Sequence, residues 1–306
     1  MRRVLLALTT AFLSASLCAC NSNVGLPSHA TSVGPTLRVL SLGEASNSVK
    51  IYVTNSGPTT TGGSVASYAI SGGKPDRLVT TGLDYPAGVA VDKHGKIYVT
   101  NYMSNSLFTY DASGKQTTPT ITTGLDRPVG VAVDKSGKIY VANQAGDPYN
   151  AGYIATFKSD GSPAPGGLFQ FLSKIAPWGI AVDAKGKIYV SSLATGNVYI
   201  YNAKGASVGR ITVGTSLTGI AVDAHGNIYV IDNATNTLKT YTPALKQTTP
   251  TITKGLDNPQ GVAVGANGDI YVVNYKSNTL VTYTSTGKKT TPTIRHLHNP
   301  IAITLH

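Results

Sequence analysis

Gly88-Val-Ala-Val-Asp-Lys-His-Gly-Lys-Ile-Tyr-Val-Thr-Asn101 is the stretch on which the reading of this chain turns. It recurs as residues 130–143 (GVAVDKSGKIYVAN), 179–192 (GIAVDAKGKIYVSS), 219–232 (GIAVDAHGNIYVID) and 261–274 (GVAVGANGDIYVVN). A sixth copy is split between the two ends of the chain. Ile51-Tyr-Val-Thr-Asn55 supplies its second half, and Ile301-Ala-Ile-Thr-Leu-His306, after Asn299-Pro300, matches its first half. Self-similarity at a period of about forty residues marks a repeat architecture, in which each unit buries an apolar face against the next.

One copy divides into four short strands. Residues 88–91 are apolar throughout, as a strand covered on both faces requires. Asp92-Lys-His-Gly95 is a turn, because Asp accepts local backbone hydrogen bonds and Gly tolerates positive φ. Residues 96–100, 105–111 and 118–122 are expected as the second, third and fourth strands. Four strands per repeat, arranged radially, make a β-propeller, whose edges are short and protected. Small residues such as Gly88, Ala90, Gly219 and Ala221 suit the crowded axis. Tyr98, Tyr140, Tyr189, Tyr229 and Tyr271 suit the place where the wedge between blades widens.

Counting the second strands at Ile51, Ile97, Ile139, Ile188, Ile228 and Ile270 gives an all-β, six-bladed propeller of four-stranded blades. The simplest closure makes residues 301–305 the innermost strand of a blade whose outer three strands come from residues 49–81.

The pattern P-x-G-[VI]-A-V-D-x-x-G-x-I-Y-V-x-[ND] resembles the NHL repeat, and Ile51-Tyr-Val-Thr-Asn55 is also similar to the related YVTN propeller repeats. The resemblance extends over residues 49–306. It implies a propeller fold. It leaves function open, because propellers of this kind include protein-binding scaffolds, RNA binders, lyases and sugar lactonases.

The N-terminus is a different kind of text. Arg2 and Arg3 precede an apolar run from Val4 to Leu17, followed by Cys18-Ala-Cys20. A basic head, a short apolar core and a small-residue cleavage site describe a secretory signal at residues 1–19. The last residues resemble a bacterial lipobox, which implies lipidation of Cys20 and a bacterial cell-envelope location, on the outer membrane or a periplasmic face. Lipid chains on one cysteine supply the paired anchors that stable membrane attachment needs. Residues 20–36 are rich in Ser, Asn, Gly and Pro and are expected to be a flexible tether. Residues 37–306 are the propeller, with residues 36–42 as an extra alternating strand.

Both cysteines lie within residues 1–20, so the propeller domain carries no thiol chemistry. The formal charge is +11, with 25 Lys and Arg against 14 acidic residues. Such an excess favours acidic neighbours, although the lysines are spread through turns in the manner of a solvated surface.

Chain direction sorts the loops. The Asp-x-x-Gly turns fall on one face, and the blade-to-blade connections fall on the other, around the channel mouth. The mouth is expected to gather Asn55, Asn101, Asn143, Ser192, Asp232 and Asn274, together with the single tryptophan, Trp178, and the insertion at residues 144–153. Each ring side chain either caps its own loop or converges with the others on a ligand.

Catalysis is harder to place. A lactonase-like propeller would bind a divalent ion through carboxylates, yet the single glutamate, Glu44, precedes the first blade and only Asp232 is acidic within the ring. His94 and His225 sit in turns on the other face, and His296 and His298, two apart, would share one side of a strand as a possible metal pair. No cofactor, resident metal or nucleic acid is expected. The reading is a monomeric, lipid-anchored binding or scaffold module, partnered by the membrane through Cys20 and by a protein or envelope component through the mouth. The alternative is a metal-dependent, lactonase- or lyase-like enzyme.

Overall fold

The computed structural model describes residues 49–57, 63–145, 152–170 and 175–306. Cys20, the segments 1–19 and 20–36, the expected strand at 36–42 and residues 146–151 of the insertion lie outside the described residues.

The chain forms β1 (Lys50–Asn55), β2 (Ser64–Ala69) and β3 (Arg77–Val79), then four complete strands, β4 (Pro86–Val91), β5 (Ile97–Asn101), β6 (Ser106–Tyr110) and β7 (Gln116–Ile121). The next blade is β8 (Pro128–Val133), β9 (Ile139–Asn143), β10 (Tyr153–Phe157) and β11 (Pro163–Gln170). It is followed by β12 (Pro177–Val182), β13 (Ile188–Ser192), β14 (Asn197–Tyr201) and β15 (Ser207–Thr212). Then come β16 (Leu217–Val222), β17 (Ile228–Asp232), β18 (Thr237–Tyr241) and β19 (Gln247–Ile252). The last full blade is β20 (Pro259–Val264), β21 (Ile270–Asn274), β22 (Thr279–Tyr283) and β23 (Lys289–Ile294), and β24 (Pro300–Leu305) ends the chain. The strands assemble into six antiparallel four-stranded sheets, and the sixth has the order β24-β1-β2-β3. The expected closure is therefore the observed one: Ile51 pairs with Leu305 and Val53 with Ile303.

The inner strands start two residues earlier than their apolar run suggests. Pro86 pairs with Asn101, and a bulge separates that pair from Val89–Val99. The same shift follows Pro128, Pro177, Leu217 and Pro259. The bulge frees a carbonyl and an N–H at the axis, and hydroxyls from the second strands take them up. Thr100 Oγ1 accepts the Gly88 N–H at 2.8 Å and donates to the Val129 carbonyl of the next blade at 2.6 Å. Ser191 does the same between Gly179 and Thr218.

Every residue of β5, β9, β13, β17 and β21 is buried, because each second strand is clamped between its neighbours on both faces. The axial glycines are explained by contact: a Cβ on Gly88 would stand 2.2 Å from the Val129 carbonyl oxygen, and one on Gly130 2.5 Å from that of Trp178. In the turns, Gly95 has φ +80°, a conformation that glycine adopts without steric cost.

The wedge tyrosines have a second purpose. Tyr98 donates to Asp92 Oδ2 at 3.0 Å, and Asp92 Oδ1 also accepts the N–H groups of His94 and Lys96. Tyr140–Asp134, Tyr189–Asp183 and Tyr229–Asp223 repeat the pair. The recurrent aspartates are thus turn anchors that also satisfy a phenol between blades.

Candidate functional site

The ring residues come first. Asn101 is fully buried; its Oδ1 accepts the Asp84 N–H at 3.0 Å, and its amide donates to the Gly82 carbonyl and the Ser106 hydroxyl. Asn143 accepts from the Asp126 N–H and Asn274 from the Asp257 N–H, both at 3.0 Å. Asn55 accepts from the His298 N–H at 3.1 Å across the ring closure. Asp232 accepts weakly from the Ser216 N–H at 3.4 Å, and Ser192 accepts from the N–H and hydroxyl of Thr195. All six are at most 4 % exposed. Each holds a loop at the mouth, which is the capping role rather than the converging one.

His296 and His298 depart from expectation. They lie in the connection between β23 and β24, outside any strand, and the alternation that would align their side chains does not apply. Among the described residues no three His, Cys, Asp or Glu groups cluster as a metal site.

Trp178 does reach the mouth. It packs with Tyr85, Tyr102 and Tyr275 against Ala87, Val129 and Ile301 at the end of the channel. Tyr85 and Tyr102 are 5.9 Å apart between ring centroids and tilted by 57°. The Tyr85 phenol is raised above its usual range, first by burial and then by the neighbouring Tyr275 phenol. Tyr102 donates to Gln144 Oε1 at 3.4 Å, which links this rim to the start of the 144–153 insertion. Sequence reading missed the tyrosines, although Tyr102 and Tyr275 both directly follow the asparagine that ends a second strand.

The aromatic rim surrounds a narrow apolar channel lined by Val, Ile, Ala and Gly, with a cavity of about 70 Å³ at the mouth. Gln260 also lines it; the amide donates to Asn258 Oδ1 at 2.6 Å, and Oε1 is buried with no hydrogen-bond partner.

The rim backbone is strained at chosen places. The residue before four of the five inner-strand prolines has positive φ: Tyr85 (52°), Arg127 (49°), Asn258 (53°) and Asn299 (52°). Asn tolerates this left-handed region, whereas Tyr and Arg do not, and a following proline disfavours it further. Asn105, Asn236 and Asn278 hold three of these positions by accepting the N–H of Arg127, Asn258 and Asn299 at 2.6–2.7 Å. Strain kept in a side chain that could be relieved by Asn points to a use for that side chain.

A family model described as "NHL repeat" matches residues 256–283, which span the β20–β22 part of one blade. No curated protein matches the chain. Among solved structures, one from a nidogen/laminin complex is similar at 16% identity, covering 84% of this chain and 98% of that one, with a TM-score of 0.65. A protein of unknown function from Bacteroides caccae is similar at 14% identity over 84% of this chain and 99% of that one, with a TM-score of 0.67. A virginiamycin B lyase from Staphylococcus aureus with quinupristin is similar at 13% identity over 79% of this chain and 87% of that one, with a TM-score of 0.57. At these identities the likeness shows the fold alone.

Proposed function

We propose that this six-bladed propeller, which carries an NHL repeat, is a binding module whose partner docks on the channel mouth, and that a lipid on Cys20 holds it at a membrane. The single observation that carries the reading is the cluster of Tyr85, Tyr102, Trp178 and Tyr275 around an apolar channel end. Half-exposed aromatics grouped at the centre of a surface are the usual anchors of protein interfaces.

Size favours a partner surface over a small molecule. Small-molecule sites enclose roughly 300–1,000 Å³, against the cavity of about 70 Å³ at this mouth. One side chain or a loop tip fits. The unpartnered Gln260 Oε1 selects a partner that brings an N–H or O–H donor to the rim.

The test is a photo-crosslinking residue at Met103, a mouth-loop position 47% exposed, in intact cells, with Ala112 on the opposite face as control. An adduct formed from Met103 alone and lost with Trp178→Ala supports the mouth as the docking site. Equal adducts from both faces, or an adduct indifferent to Trp178, overturn it. Release of a Cys20→Ala variant from membranes supports the anchor, and its retention removes the anchor.

A second reading, a metal-dependent lactonase- or lyase-like enzyme centred on Asp232, draws on the likeness to the lyase structures. A melting temperature raised by Ca²⁺ or Zn²⁺ and restored by EDTA supports it, and an indifferent melt removes it.

A further inference from the structure

The propeller has a charged face as well as an aromatic one. The turns that join first to second and third to fourth strands, with the two chain ends, form the face away from the mouth. With Lys289 at the start of β23 included, they carry fourteen lysines and eight aspartates, and ten of those lysines are exposed. Among the described residues, the mouth connections and adjoining strand ends are balanced by comparison: Arg127, Lys254, Lys276 and Arg295 stand against Asp84, Asp126, Asp232 and Asp257.

Apart from Asp76, which pairs with Lys50, the eight aspartates form no ion pair with these lysines among the described residues. Asp92, Asp134, Asp183 and Asp223 are turned into their own turns by backbone N–H groups and a tyrosine, and stay half-buried. Among the described residues the only ion pair is Lys50–Asp76, at 3.4 Å. The excess charge is spread over five of the six blades, with Lys246 matched by Asp223 in the β16–β19 blade, and is not gathered in a groove. A groove would suit a polymer strand, whereas an even spread over a disc suits a planar charged surface.

Two further observations name that surface. The chain enters the propeller on this face, because Lys50 donates its N–H to the His306 carbonyl at 2.6 Å where β1 and β24 meet. The residues that precede it include the apolar run 4–17 and Cys20. A cleft of about 640 Å³ on this face, between the β4–β7 and β8–β11 blades, is lined by Lys93, Lys96 and Lys135 together with Asp92, Asp134 and Asp160. Lys93 and Lys135 are exposed there and offer cations to a lipid phosphate, while Asp92 and Asp134 are held by the N–H groups of their own turns.

We infer that the lysine-bearing turn face docks on an anionic lipid surface, so that the aromatic mouth is presented away from the membrane. The inference does not depend on what the mouth binds or on lipidation. It assigns the two faces separate tasks.

The test is co-sedimentation of the full-length Cys20→Ala chain with phosphatidylcholine vesicles, alone or containing 30% phosphatidylglycerol. Two quadruple variants remove equal charge: Lys93, Lys135, Lys185 and Lys288→Gln on the turn face, and Arg127, Lys254, Lys276 and Arg295→Gln at the mouth. Each surface lysine contributes roughly fivefold to anionic-membrane affinity. The turn-face variant is expected to lose at least about thirtyfold in affinity for anionic vesicles, with the mouth variant within about threefold of the parent. The preference for anionic vesicles should also vanish in 0.5 M salt. Thermal melts of both variants establish that they are folded. Equal losses in the two variants, or no preference for anionic vesicles in the parent, overturn the inference.

Discussion

Thr54 accepts the backbone N–H of Ala302 on its hydroxyl at 2.9 Å, joining residues 248 positions apart. The same oxygen donates to the Ala87 carbonyl at 3.0 Å, so one side chain ties β1, β24 and the neighbouring β4 together. Thr54 is fully buried, and replacing it with Val leaves an N–H and a carbonyl unpaired at the ring closure. Thr54→Val should cost about 1–3 kcal/mol, read by urea unfolding. Ile303→Ala, at a side chain 7% exposed in the same closure, should cost about 2–5 kcal/mol. Deletion of residues 301–306 should lower the melting temperature sharply, and an unchanged melt would contradict the closure.

The axis carries a methyl in one blade. Ala302 occupies in the closing strand the place that Gly88, Gly130, Gly179, Gly219 and Gly261 hold elsewhere. Gly88→Ala should destabilise by about 1–3 kcal/mol through overpacking, because its Cβ would meet a backbone carbonyl that cannot move aside. Ala302→Gly should change stability by about 1 kcal/mol or less. A chevron or equilibrium melt of the two variants compares them directly.

The buried asparagines and the exposed aromatics should separate in experiment. Asn101→Ala leaves the Asp84 N–H and Gly82 carbonyl without their partner and should cost about 1–3 kcal/mol of stability. Trp178→Ala should instead leave the melt nearly unchanged and abolish docking at the mouth. Because Trp178 is the single tryptophan, its fluorescence reports occupancy of that mouth directly.

Relief of the strained rim gives a prediction of opposite sign. Arg127→Asn places a residue suited to φ 49° where Arg now sits. The substitution should stabilise by about 0.5–1 kcal/mol, seen as a raised melting temperature. Tyr85→Asn removes the same strain and should weaken docking while sparing the fold, a trade of function for stability.

Alkaline pH should unfold the ring in a defined window. Burial pushes Tyr110, Tyr201, Tyr229 and Tyr283 up to about 12, from 10.0. Since the folded state favours the neutral phenol, the stabilisation is fully present below pH 10 and is lost as pH rises towards about 12. Tyrosinate absorbance followed with circular dichroism should show ionisation and unfolding together in that interval. Tyr283→Phe, which also removes a 2.7 Å bond to the Lys254 carbonyl, should narrow it.

The sequence by itself determined the architecture. Six copies of one motif, one of them split, can bury their apolar strands only by stacking into a closed ring, and the period, the turn glycines and the split copy specify strand order and closure. It also placed Asn101 and its equivalents at the mouth, because strand direction alone decides which end a residue reaches. What it left undecided is where each side chain spends its hydrogen bonds. Only the tertiary structure turned Asn101 towards Gly82 and Asp84, paired Tyr98 with Asp92, and brought Tyr85, Tyr102, Trp178 and Tyr275 from three blades onto one rim. Periodicity fixes which face of a strand is buried, but contacts between blades depend on the angle at which six wedges meet, and no single repeat contains that angle. The segregation of lysines from aromatics has the same origin, since alternating turns in sequence become opposite faces only when the strands are stacked.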